Sequence, residues 1–133
     1  SKAQREAAQS YLDGDIDLLS DTIKVALIDT ADYTYNAAHD MYDDVSAGAV
    51  GTPATLGTKS TTAGVFDAAD VTFSSVTGDP CEALIIYKDS GDPSTSPLIA
   101  YIDSGTGLPV TPNGGDITIT WNGSGIFGIT DPA

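Results

Sequence analysis

The densest group of chemically competent side chains lies in "DTADYTYNAAHDMYDDV", from Asp29 to Val45. Asp29, Asp32, His39, Asp40, Asp43 and Asp44 offer the oxygen and imidazole donors that a divalent cation takes. A hard cation wants several oxygens closing on one point, usually through a tight loop that contains glycine. No glycine interrupts this segment, and tyrosines alternate with the acids. The pattern reads instead as a loop whose Tyr33, Tyr35 and Tyr42 pack inward while the acids face water. His39 then reads as a surface or partly buried histidine, not a ligand.

Other candidate chemistry is weaker. "DGDID" places acids at Asp13, Asp15 and Asp17, the opening spacing of an EF-hand loop. Its sixth position is Leu18 where glycine makes the turn, and its twelfth is Lys24 where a bidentate glutamate is needed. Local capping by Asp17 or Ser20 explains these residues better. "GSGIFG", Gly123 to Gly128, matches a dinucleotide fingerprint, but that motif works only where a helix follows, and the sequence ends at Ala133. It reads as a turn. "NGS" at Asn122 matches a glycosylation pattern that has meaning only behind a secretory signal. Nucleophilic catalysis would have to pair His39 with Cys81, and Cys81 stands between Pro80 and Glu82 at the entrance to an apolar strand. No pair of carboxylates stands out for glycoside chemistry. The expectation is a protein with no catalytic residue, no metal ligand and no cofactor.

Composition narrows the partners. The chain has 133 residues, enough for one domain with a core. It carries 19 acids against 5 bases, a net charge of -14. Such a polyanion repels phosphate backbones and anionic lipid surfaces, which argues against nucleic acid and membrane as partners. The single cysteine, Cys81, excludes an intrachain disulfide. No apolar run is long enough to cross a bilayer. The start, "SKAQREAAQSYLDG", lacks the apolar segment of a secretory signal, and Ser1 is what an intracellular chain shows after losing its initiator methionine.

These residues must be positioned by a mainly β scaffold. Ala3, Ala7 and Tyr11 recur at helical spacing, which predicts a helix from Lys2 to Leu12. So short a helix is marginal alone and should dock on its own domain or on a neighbouring chain. Strands are predicted at Ile23 to Ile28, around Val71 and Phe73, at Ala83 to Tyr87, at Leu98 to Ile102, in "DITITW", and at Ile126 to Ile129. Ile23, Val25 and Leu27 should share a face. Leu98, Ala100 and Ile102 should lie opposite Ile99 and Tyr101. Ile117, Ile119 and Trp121 should point inward. "YKDSGDPSTSPLIAYI" reads as two adjacent antiparallel strands joined by a loop, and "WNGSGIF" as a hairpin with an Asn-Gly turn. "SAGAVGTPATLGTKSTTAG" reads as a long loop with one edge strand near Leu56 to Thr62. The fold class is therefore all-β, an antiparallel β-sandwich or jelly-roll-like barrel with a short N-terminal helix. Residues 1–14 form an N-terminal helical arm and 15–133 a single β-domain.

"GDIDLLSDTIKVALIDTADYTYN", "EALIIYKDSGDPSTSPLIAYID" and "GLPVTPNGGDITITW" together resemble a family of small structural proteins of tailed bacteriophage virions. The resemblance runs from about Gly14 to Phe127; the first dozen residues lie outside it. It implies a virion component without catalytic residues. The leading expectation is a capsid decoration, or cement, protein made in the host bacterial cytoplasm and placed on the capsid exterior. It would bind the major capsid protein, or other virion proteins, as a homo-oligomer, a trimer being the preferred form. An acidic surface suits the outside of a particle filled with DNA. Partner contacts are expected from Ser1 to Leu12 and from the Tyr33 to Tyr42 loop, with Lys2, Arg5, Tyr11, Tyr33, Tyr35 and Tyr42 as the contact residues. The alternatives are a tail, head–tail connector or fibre component, and a carbohydrate- or receptor-binding β-sandwich. The last would stack sugars on exposed Tyr33, Tyr35, Tyr42 and Trp121.

Overall fold

The computed structural model describes residues 1–105 and 107–129. It opens with helix α1, Lys2–Asp13. The Ser1 hydroxyl accepts from the Gln4 N–H at 3.3 Å, and the Gln4 side chain reaches back to the Ser1 amino group, so a capping box fixes the first turn. Gly14, at φ 79°, ends the helix in the left-handed conformation that glycine adopts without strain. The strands follow as β1 (Ile23–Ile28), β2 (Ala49–Thr55), β3 (Ser60–Thr62), β4 (Val65–Asp67), β5 (Val71–Phe73), β6 (Ala83–Lys88), β7 (Leu98–Ile102), β8 (Ile117–Ile119) and β9 (Phe127–Gly128). The protein is thus mostly β, with antiparallel sheets and one short N-terminal helix.

The principal sheet has the order β2-β1-β6-β7; smaller sheets pair β3-β4-β9 and β5-β8. Among the described residues these sheets stay separate, and none closes into a barrel. The central pair β1 and β6 are the strands that are apolar on both faces, because both faces are covered. On one face Ile23, Val25, Leu27, Leu84 and Ile86 join a core with Phe66, Phe73, Ile117, Ile119 and Trp121 from the small-sheet side. On the other, Ala26, Ile28, Ile85 and Tyr87 pack with Tyr33, Tyr42 and Val45 from the connection between β1 and β2. Each fully buried Leu or Ile contributes about 1.5–3 kcal/mol, so this double-faced strand pair is the main source of stability. Helix α1 packs against β7 and contributes Ala3 to the second core and Tyr11 to the first.

Several expectations need correction. The stretch taken as a long loop contains β2, and a further strand, β4, follows it. The edge strand expected from Leu56 is only Ser60–Thr62; Leu56 itself is buried outside a strand, its N–H on the Ile23 carbonyl at 2.9 Å. β2 carries little sequence signal because Gly51 and Pro53 break its alternation, which an edge strand tolerates. The β6–β7 pair forms as expected, but a register irregularity beside Ile86 and Tyr87 puts Leu98 into the second core with Tyr101, while Ile99 joins Ala100 and Ile102 toward the first. "WNGSGIF" does turn, with Gly125 N–H on the Asn122 carbonyl at 2.9 Å, yet it is no hairpin: β8 pairs with β5 and β9 with β4. The last strand is confined to Phe127–Gly128.

Candidate functional site

At the end of β1 the chain turns sharply. The Asp29 N–H donates to the Gly48 carbonyl at 2.8 Å, and the Asp29 carbonyl accepts from Asp32 and Tyr33 N–H, both at 3.1 Å. The Asp29 carboxylate accepts from the Ala31 N–H at 2.9 Å, and Thr30 donates through N–H and hydroxyl to Glu82 at 3.0 and 2.9 Å. This turn delivers Tyr33 onto the sheet. Gly48 lies so close beneath it that an added Cβ would stand 2.5 Å from the Tyr33 Cβ. The Tyr33 hydroxyl shares a 3.0 Å hydrogen bond with His39 Nδ1. The Asn36 carboxamide accepts from Ala38 N–H, and the Asn36 carbonyl accepts from His39 N–H, which fixes the histidine's backbone. Two further bonds, Leu98 N–H to the Asp40 carbonyl and Tyr42 N–H to the Ser96 carbonyl, join the segment to the start of β7.

A cleft of about 250 Å³ opens between this segment, the first turn of α1 and the outer strand β7. Its aromatic wall holds Tyr33, Tyr35 and Tyr101. The Tyr35 and Tyr101 centroids are 5.0 Å apart at 49°, and those of Tyr33 and Tyr101 6.5 Å apart at 58°. Asn36, Gln4 and Asp103 supply polar groups. Burial pushes the Tyr33 phenol above its ordinary range; burial, then the nearby Asp103 carboxylate, does the same to Tyr101. Both are therefore neutral at physiological pH.

The six expected contact residues divide. Lys2 closes α1 onto the segment: its ammonium is 3.0 Å from Asp40 and 3.8 Å from Glu6, and its N–H donates to the Ala37 carbonyl. Tyr33 and Tyr35 line the cleft. Tyr42 lies behind it, stacked on Tyr87 with centroids 4.0 Å apart. Arg5 is exposed and makes no ion pair among the described residues. Tyr11 packs half-buried on the first core, its phenol pushed up to about 12 by burial. The expectation that all three loop tyrosines pack inward is corrected at Tyr35, which is 49% exposed, against 6% for Tyr33 and 8% for Tyr42. Tyr101 and Asp103 were missed as cleft residues. Strand alternation places Tyr101 on a face, but only the tertiary fold brings Tyr35 across to it.

Of the acids and histidine weighed as cation ligands, only Asp29 and Asp32 enter a cluster of three, and they do so with Asp79 and not with His39, Asp40, Asp43 or Asp44. The three carboxylates lie within 4.8 Å of one another. Asp44 instead accepts from the Asp40 and Met41 N–H groups, and these bonds hold its carboxyl below the usual range. His39 is held by Tyr33, while the buried Cys81 faces the Asp79 carbonyl, its thiol pushed up to about 11 by burial. A thiol so protonated is a poor nucleophile. Asp17 accepts from Leu19 and Ser20 N–H, the local capping expected of it. Trp121 is buried, with its indole N–H on the Ala69 carbonyl at 3.1 Å. Of the four aromatics considered for sugar stacking, only Tyr35 is exposed. No described helix is long and apolar enough to cross a membrane. The chain matches no protein-family model, and no curated protein matches it in sequence.

Proposed function

We propose that this chain is a structural protein of a tailed bacteriophage virion, a decoration protein that binds the outer surface of the major capsid shell and adds stability without catalysing a reaction. The observation that carries the reading is convergence. Two of the segments that carry the phage resemblance, residues 14–36 and 82–103, meet at one open surface. The first supplies Tyr33, Tyr35 and Asn36 to the cleft, and the second supplies Ile85, Leu98, Tyr101 and Asp103. We read the packing of the principal sheet against the small sheets as a β-sandwich, with the cleft on the side away from them. The charge supports an exterior position. Four of the five bases, Lys2, Lys24, Lys59 and Lys88, are engaged by carboxylates or a backbone carbonyl within the chain, so the outward field is that of the unpaired acids. Interface burial on a shell stabilises whatever state it binds, by mass action.

The test is sedimentation of the purified protein with shells assembled from the major capsid protein of the same phage. Comigration with the shells, and a higher temperature of shell disruption, is the expected result. Protein left entirely in the supernatant contradicts it. The same preparation tests the oligomer: light scattering should give three times the chain mass, and a monomer at working concentration would remove the trimeric arrangement.

A further inference from the structure

We propose that the Tyr33–Tyr35–Tyr101 cleft binds a guanidinium group, the side chain of an arginine presented by a protein partner. The identity of that partner, the capsid shell, rests on the preceding reading; the cation specificity rests on the cleft. The Tyr35 and Tyr101 rings are in tilted contact, centroids 5.0 Å apart at 49°, and Tyr101 is inclined at 58° to the largely buried Tyr33, so the aromatic wall is folded rather than a flat platform. The negative face of an aromatic ring attracts a cation, and several inclined rings attract one together. A pyranose ring, in contrast, stacks best on an open flat face. Asp103 adds a carboxylate to the same wall. A guanidinium can lie on a tyrosine ring and fork two N–H groups toward a carboxylate, which an ammonium cannot match.

The surroundings favour an incoming cation. The chain carries a net charge of -14, and no lysine or arginine lines the cleft. Lys2, in the first turn of α1, is turned to Asp40. The Ser1 amino group at the rim is directed to the Gln4 side chain at 3.4 Å. The side-chain oxygens of Asn36 and Gln4 are taken up by the Ala38 N–H and the Ser1 amino group, which leaves their amide N–H groups at the walls to meet the partner's backbone carbonyls. The volume, about 250 Å³, accommodates one long side chain and not a folded element. Among the described residues β7 is the outermost strand of its sheet; the Asp40–Tyr42 segment is bonded to its start, so a partner segment would reach the cleft from the Tyr101–Asp103 end.

The test uses the intact protein and three capped tripeptides, Gly-Arg-Gly, Gly-Lys-Gly and Gly-citrulline-Gly, followed by amide chemical-shift titration. The arginine peptide should shift Tyr35, Tyr101 and Asp103 selectively, bind more tightly than lysine and far more tightly than citrulline, and weaken as salt is raised. Tyr35→Ala should lower its affinity roughly fivefold, and Asp103→Asn roughly tenfold. Both residues are exposed at the surface, so the variants should keep the parent melting temperature. Equal binding of the citrulline peptide, shifts scattered away from the cleft, or a neutral disaccharide displacing the arginine peptide would each overturn the proposal. Sedimentation with shells separates the two readings. Arginine binding without shell binding leaves the cleft assignment standing and removes the capsid function; shell binding without arginine binding does the reverse.

Discussion

Tyr33 is the residue on which the cleft turns, since it contacts the sheet, His39 and Tyr101 together. Tyr33→Phe keeps the ring and removes only the hydroxyl bonded to His39 Nδ1. Urea denaturation should register a loss of about 1 kcal/mol, the ordinary net value of a partly buried hydrogen bond. No loss at all would mean that water replaces the bond without cost. Cys81 permits a second residue-scale prediction. It is fully buried, and its thiol is raised from 9.0 to about 11. A thiol reagent at pH 8 should leave the folded protein unlabelled and modify it completely in denaturant. Rapid labelling of the native protein would show that the β6 entrance opens far more readily than its packing allows.

At the scale of elements, the β1–β2 connection depends on a close approach that only glycine permits. An added Cβ at Gly48 would crowd the Tyr33 Cβ at 2.5 Å, the Asp29 carbonyl at 3.1 Å and the Ile28 Cγ2 at 3.3 Å. Gly48→Ala should destabilise the protein by about 1–3 kcal/mol, as overpacking does, and should also broaden the Tyr33 and Tyr35 ring signals. Unchanged unfolding would contradict the described contact. The strands legible in sequence are those whose apolar pattern is set by burial on both faces or one: β1, β5, β6, β8 and the position of β7. β2 was hidden because an edge strand with Gly51 and Pro53 carries little periodic signal. The irregularity at the β6–β7 pairing was hidden for another reason: a bulge moves Leu98 to the opposite face without changing composition. Helix α1 was legible from Ala3, Ala7 and Tyr11, but its seat on β7 depends on contacts between residues far apart in the chain. Half of the cleft was therefore readable. Tyr33 and Tyr35 stand out as residues, while Tyr101 and Asp103 become cleft residues only through the sheet order.

For the whole molecule, titration sets the limits of stability. Tyr11 is raised from 10.0 to about 12, Cys81 from 9.0 to about 11, and Tyr42 and Tyr87 are raised as well, with burial the first cause in each. Each is held protonated in the fold. The stability it adds is complete below its unfolded value and disappears as pH rises through its folded value. Thermal unfolding should thus be flat near neutrality and fall steeply from about pH 9 toward pH 12. On the acid side Asp44 and Asp89 are lowered, first by backbone N–H bonds. Their contribution is present above the unfolded aspartate value, near about 3.9, and is lost as pH falls through the folded one. Both are solvent-accessible enough that this acid loss should be shallow. A stability curve steeper in acid than in alkali would contradict the assignment of the buried tyrosines. The net charge of -14 belongs to the same scale, because it disfavours DNA and anionic lipid and is compatible with the proposed protein shell as partner. Electron microscopy of intact virions of the phage proposed to carry this chain tests the proposed function most directly. Density fitted by this fold should stand on the outer face of the head lattice with the Tyr35 cleft turned toward the major capsid protein; density only along the tail, or none on the particle, contradicts it.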